Sequence, residues 1–129
     1  MTRSFADLWA GTFHHAAEHS PYYRALFRGL TSAPAFNTVP LVDKPTLSAR
    51  HQDFLCVPRE RVVEIVTTSG TTGQPLLWML TEADVQRLAE NERLSFDCVG
   101  LTARDTVLVA VAMDRCFMAG LAYWLGLRE

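Results

Sequence analysis

The stretch with the most chemical capacity is Thr67-Thr68-Ser69-Gly70-Thr71-Thr72-Gly73-Gln74-Pro75, which sets five hydroxyl side chains around two glycines. Hydroxyls donate hydrogen bonds, and glycine reaches positive φ, so that successive backbone N–H groups can turn toward one anion. This is the chemistry of a phosphate cradle. It is not a Walker A loop, because that motif runs from strand into helix and ends Gly-Lys-Ser/Thr, whereas Gly73 is followed by Gln74. The same composition is also that of an ordinary turn. Composition alone therefore leaves two readings, a cradle for phosphate and a plain connection.

The flanks say what must carry the loop. Val62 to Val66 is β-branched and apolar apart from Glu64, and Leu76 to Leu80 is apolar again after Pro75, so a strand is predicted on each side. The loop then joins two antiparallel strands as a long hairpin. Beyond it, Thr81 followed by Asp84 is a capping pattern, and Val85, Leu88, Ala89, Phe96 and Val99 fall on one helical face. That helix is expected to stop at Gly100. The run Val107 to Ala112 is continuously apolar, which predicts a strand buried on both faces and central to a parallel sheet. A last helix is expected from about Cys116, packed through Ala119, Gly120 and Ala122 beside Tyr123 and Trp124. The chain then ends inside that predicted helix with no glycine stop signal, which suggests part of a larger domain.

Upstream, Ser4 with Asp7 caps a first helix carrying Phe5, Leu8, Trp9, Phe13 and Ala16, and Ser20-Pro21 ends it and starts a second. Pro34, Pro40 and Pro45 make residues 31–53 connecting chain, within which Asp43 caps a short helix running to about Arg50. Lys44, the one lysine, is read as surface structure rather than as a catalytic amine. His15-Ala16-Ala17-Glu18-His19 spells the H-x-x-E-H string that can hold zinc on a helix. A third ligand at a recognisable spacing is lacking, so it reads as a solvated helix end. The predicted fold class is α/β, a single partial domain with a helical, proline-rich region over residues 1–58 and the hairpin, helix, strand and final helix over 59–129.

Composition bounds the function. The 129 residues are 49% hydrophobic and 20% charged with net charge −2, which describes one globular core and gives nucleic acid or an anionic membrane nothing basic to hold. A small-molecule ligand is expected. Cys56, Cys98 and Cys116 are odd in number and widely spaced, and are read as buried thiols in a reducing compartment. With no apolar signal segment at the N-terminus, a cytoplasmic location follows. The apolar run Val107 to Leu127 is interrupted by Asp114 and Arg115, which argues against a membrane span.

The order Thr-Ser-Gly-Thr-Thr-Gly-x-Pro at residues 68–75 resembles the signature loop of the adenylate-forming enzymes, the superfamily of acyl-CoA ligases, luciferases and adenylation domains. Around it, Ser20-Pro21-Tyr22-Tyr23-Arg24, Val39-Pro40 with Lys44 and Leu47, and the helix from Thr81 with Asp84 and Arg93 before Gly100 and Asp105 are similar in order to phenylacetate-CoA ligases. The resemblance covers nearly the whole chain but only about the N-terminal third of such an enzyme. It implies part of the large N-terminal domain of an ATP-dependent acid-CoA ligase. Such an enzyme converts a carboxylic acid, by implication an aryl acid such as phenylacetate, to acyl-AMP and then to the CoA thioester. ATP, Mg²⁺ and CoA are implied for the full-length parent, with Thr68, Ser69, Gly70, Thr71, Thr72 and Gly73 as the nucleotide-binding residues. No catalytic residue and no metal ligand is assigned. Many relatives place a lysine beside the loop's proline where this chain has Gln74 and Leu76, so a neutral loop relies on backbone dipoles and Mg²⁺. The 129 residues alone are not expected to turn over. The alternative is a truncated, inactive relative that serves as a protein-interaction module. If the chain is a fragment, its strand and final helix lack their cover, and homo-oligomers are expected.

Overall fold

The computed structural model describes residues 3–68, 75–111 and 113–129. They form two compact units, Met1–Arg59 and Glu60–Glu129.

In the first unit α1 spans Phe5–His19 and α2 spans Pro21–Leu26. The predicted capping box at Ser4 forms: its Oγ accepts from the Asp7 N–H at 3.2 Å and the Asp7 carboxylate accepts from the Ser4 N–H at 3.2 Å, satisfying two donors that a helix start leaves open. Ser20 closes one helix and opens the next. Its N–H donates to the Ala16 carbonyl at 2.9 Å, and its Oγ accepts from the Tyr23 N–H at 3.3 Å and donates to the Asp53 carbonyl at 2.7 Å. It is wholly buried, which the three bonds permit.

Aromatic side chains make this unit's core. Phe13 is 2% exposed, with the rings of Phe27 at 4.9 Å and Trp9 at 6.3 Å. Trp9 meets Phe36 at 5.2 Å and sends its indole N–H to the Pro34 carbonyl at 2.7 Å. The proline-rich connection is thereby held to α1 by a half-buried ring and one polar handle. The helix α3, Lys44–Arg50, is capped by Asp43 as expected, the carboxylate accepting from the Thr46 N–H at 2.9 Å. Lys44 is its first residue.

In the second unit β1, Val62–Thr67, pairs antiparallel with β2, Leu77–Thr81, in a register running from Val62 opposite Thr81 to Thr67 opposite Leu77, with an irregularity between Val62 and Glu64. The predicted hairpin is present. Val66 and Leu80 are buried, as is Ala89 on the long helix α4, Glu82–Cys98, that follows. The Thr81–Asp84 capping box forms as read from the sequence, with the Thr81 N–H donating to Asp84 Oδ2 at 2.9 Å and the Asp84 N–H to Thr81 Oγ1 at 3.3 Å. Gly100, at φ +80°, terminates α4: its N–H reaches the Asp97 carbonyl at 3.0 Å and the Leu101 N–H reaches that of Phe96 at 3.1 Å. Those are the paired bonds of a Schellman motif, whose left-handed position favours glycine. A turn follows in which Asp105 accepts from the Thr102 N–H at 2.8 Å.

Partial burial opposes ionisation of Asp84, but the Thr81 bonds and the Arg87 guanidinium outweigh it and hold the carboxyl below its usual range. A carboxylate whose native pKa is depressed contributes stability above its unfolded pKa and loses it as pH falls through the native value. Asp84→Asn should therefore lower stability at neutral pH and flatten the acid side of the stability curve below about pH 4. Denaturant melts of both proteins across that range check this.

The strand expected at Val107 to Ala112 is not formed. The described part, residues 106–111, is neither helix nor strand, Leu108 is 87% and Val107 42% exposed, and among the described residues no backbone hydrogen bond holds it. The apolar run is that of a buried strand, yet burial on two faces needs neighbours on both sides, and the described residues of this unit contain one hairpin. The final helix α5 runs Met118–Gly126, starting two residues later than expected because Asp114–Cys116 is a 3₁₀ turn with Cys116 at φ +57°. It closes inside the chain, the Leu127 N–H bonding the Tyr123 carbonyl at 3.1 Å. The expectation of three buried thiols also fails. Cys98 and Cys116 are exposed and Cys56 is half-buried, all three unpaired, because Cys98 ends a helix and Cys116 sits on a surface turn.

Candidate functional site

The hydroxyl-rich loop leaves the end of β1 and returns at the start of β2. Of the residues expected to bind phosphate, Thr68 is described; Ser69, Gly70, Thr71, Thr72 and Gly73 lie outside the described residues. The loop's root is closed by two bonds. The Thr68 N–H donates to the Leu76 carbonyl at 3.0 Å, and the Leu76 N–H donates to Thr68 Oγ1 at 3.0 Å. This extends the ladder one pair beyond Thr67 and Leu77, so the span from residue 69 to residue 75 leaves a fixed base. Thr68 thus spends an oxygen lone pair on the hairpin while its O–H remains a donor. Sequence reading assigned it to a ligand alone and missed this structural bond. The signal that could have found it is the β-branched hydroxyl at the last strand position, a common place for a side chain to bond nearby backbone.

Thr67 has β2 on one side and, on the other, a single parallel bridge to Phe117. Phe117 is the N-cap of α5, and no side chain caps that helix. The first turn of α5 therefore starts beside the loop's root, with backbone N–H groups at the positive end of the helix dipole. Sequence reading missed this neighbour too, since a single parallel bridge between residues fifty positions apart leaves no local pattern in the sequence.

The remaining polar groups have structural duties. Asp84 and Asp105 cap and turn, as their spacing predicted. Arg93 is clamped between Glu90 at 2.9 Å and Asp97 at 2.5 Å along the exposed face of α4. On α1 the rings of His15 and His19 lie 4.7 Å apart. Among the described residues no three His, Cys, Asp or Glu side chains gather as a metal site. No described helix is long and apolar enough to cross a membrane.

No protein-family model matches the chain. Over 123 residues it is 31% identical to the phenylacetate-coenzyme A ligase of Escherichia coli (strain K12), a match covering 89% of this chain and 28% of that ligase. The chain spans little more than a quarter of its relative's length, and over that length it bears a distant likeness to an acid-CoA ligase.

Proposed function

We propose that this chain is the N-terminal portion of an ATP-dependent acid-CoA ligase and that residues 68–73 hold the nucleotide's phosphates. The observation that carries the reading is the Thr-Ser-Gly-Thr-Thr-Gly string on a hairpin whose root is bonded shut at Thr68 and Leu76. A loop serving only as a turn has no need of five further hydroxyl or glycine positions above a closed ladder. The likeness to a phenylacetate-coenzyme A ligase supports the same reading, and extends it to an aryl acid and CoA as substrates.

In the parent reaction the acid's carboxylate oxygen attacks the α-phosphorus of ATP and the bond to the β-phosphate oxygen breaks, releasing pyrophosphate. The CoA sulfur then attacks the acyl carbon, and AMP leaves. Both steps move negative charge onto departing phosphate oxygens, so donors fixed in advance around those oxygens lower the barrier. This chain's share is such donors: the O–H groups of the loop, its glycine N–H groups and the uncapped first turn of α5 at its root. Without an adjacent lysine the loop is neutral. Mg²⁺ would supply the compensating charge, carried in on the phosphates as is usual for that ion rather than held in a cage of protein ligands.

In the full-length protein, Thr71→Ala with Thr72→Ala removes two hydroxyl donors to a charged ligand, each worth about 1.5–3 kcal/mol. ATP affinity should fall by about a hundredfold or more, as measured by calorimetric titration. Unaltered affinity would remove the phosphate-loop assignment.

A further inference from the structure

We propose that His15 and His19 form a two-imidazole chelate for a divalent transition metal of tetragonal preference, copper(II) or nickel(II), on the last turn of α1. The inference is independent of the ligase reading, since it concerns no loop residue. Among the described residues the string His15-Ala16-Ala17-Glu18-His19 lacks the third ligand of a zinc enzyme. Two imidazoles at i and i+4 nevertheless share one face of a helix and can close on one ion. Both side chains are exposed, so an ion and its waters can reach them.

Geometry favours the metal named. With metal–nitrogen bonds of about 2.0–2.1 Å, an ion in the ring plane stands about 3.2 Å from each imidazole centre. The ring centres of His15 and His19 are 4.7 Å apart, which subtends about 95° at that ion. This is the angle between neighbouring ligands in a square-planar or octahedral shell, whereas the tetrahedral shell of zinc needs centres about 5.2 Å apart. Tetragonal nitrogen sites suit copper(II) and nickel(II), and affinity at a given site peaks at copper. The other coordination positions are left to water. The backbone beneath the pair is already fixed, the Ser20 N–H donating to the Ala16 carbonyl at 2.9 Å and the Arg24 guanidinium to the Glu18 carbonyl. Closing the chelate therefore orders two side chains and no main chain. The Glu18 carboxylate stands 3.7 Å from His19 Nε2 and sets its negative charge against that of Arg24. The other two histidines are placed differently. His14 lies against the Phe13 ring, with centroids 5.2 Å apart, and His51 Nδ1 is 3.3 Å from the Ser48 carbonyl; neither has a second histidine three or four residues away.

An ion held at i and i+4 staples the turn that leads into the buried Ser20. The pair converges only in the helix, so the ion binds the folded unit in preference to the unfolded chain, and stability rises with free metal. Nickel(II) is the probe, because it does not oxidise the exposed thiols of Cys98 and Cys116 as copper(II) would. Calorimetric titration of the 129-residue chain should show nickel binding that weakens at least about tenfold in His15→Gln and in His19→Gln alike, since one imidazole alone loses the intramolecular second bond. His14→Gln and His51→Gln should bind as the wild type does. In urea melts nickel should raise the wild-type midpoint and leave that of either chelate variant in place. Comparing each protein with its own metal-free melt keeps a change in folding apart from a lost ligand. Binding as strong in one or both chelate variants as in the wild type would place the ion elsewhere, on a thiol or a chain end, and overturns the proposal. So does a wild type still far from saturation at about 1 mM nickel, or one that binds nickel with no rise in midpoint.

Discussion

Replacing Phe13 by alanine should cost the first unit about 3–5 kcal/mol, the range for deleting a buried aromatic ring, and leave it largely unfolded at room temperature. The ring is 2% exposed and lies against Phe27, Trp9 and His14, with centroids 4.9, 6.3 and 5.2 Å away. Its neighbours are themselves fixed. Trp9 is tied to the Pro34 carbonyl, and Phe27 stacks on Tyr23 at 5.6 Å, so the cavity cannot collapse without breaking other contacts. Total stabilities of small domains are commonly 5–15 kcal/mol, and least for the smallest, so a loss of this size consumes most of what a unit of residues 1–59 can hold. Phe13→Leu, which restores much of the volume, should recover more than half of the loss. Near-ultraviolet circular dichroism during urea denaturation reads both, through the ordered aromatic cluster. A Phe13→Ala protein that melts with the wild type would mean that this cluster is not the unit's core.

The second large effect is expected at Gly126, where α5 crosses α4. A β-carbon built there would stand 2.5 Å from the Glu92 β-carbon, 3.0 Å from the Arg93 nitrogen and 3.1 Å from the Glu92 carbonyl carbon. Two of these are backbone atoms of a long helix, which do not move aside as a side-chain tip would. Alanine at this place gains up to about 1 kcal/mol in helix propensity over glycine, but the overlap requires α4 and α5 to part, and overpacking typically costs about 1–3 kcal/mol. The clash wins. Gly126→Ala should destabilise the second unit by about 1–2 kcal/mol, and Gly126→Val by about 3 kcal/mol, measured as a shift in denaturation midpoint at constant slope. At Gly11, by contrast, nothing lies within 4 Å of an added β-carbon, so Gly11→Ala should be neutral or stabilising and serves as the matched control.

What the sequence showed and what it concealed divide along a physical line. Capping is local, and the boxes at Ser4–Asp7 and Thr81–Asp84, the Ser20-Pro21 junction, the Asp43 cap and the Gly100 stop were all legible, because each rests on hydrogen bonds to backbone no more than five residues away. The hairpin was legible for a similar reason, two β-branched runs flanking one loop. The segment at residues 107–112 was misread. A continuous apolar run predicts burial, but burial depends on which neighbours are present, and sequence pattern contains no information about them. The same limit applies to the cysteines, whose exposure follows from where helix ends fall, and to the bridge between Thr67 and Phe117, which joins residues fifty positions apart. Of the candidate site, the composition of the loop could be read directly. Its closure by the Thr68 hydroxyl and the approach of α5 could not, since both depend on a register and a crossing that only the folded chain defines.

The most direct test of the phosphate-loop account is hydrogen exchange at the loop itself. In the full-length protein, backbone amides from Ser69 to Gly73 would be followed with and without saturating Mg²⁺ and ATP. The account predicts slowed exchange concentrated in those amides, with smaller protection at Met118 to Gly120 in the first turn of α5 and none at the caps of α1 or α3. Nucleotide-dependent protection elsewhere in the protein, with residues 69–73 exchanging as fast as before, would contradict it.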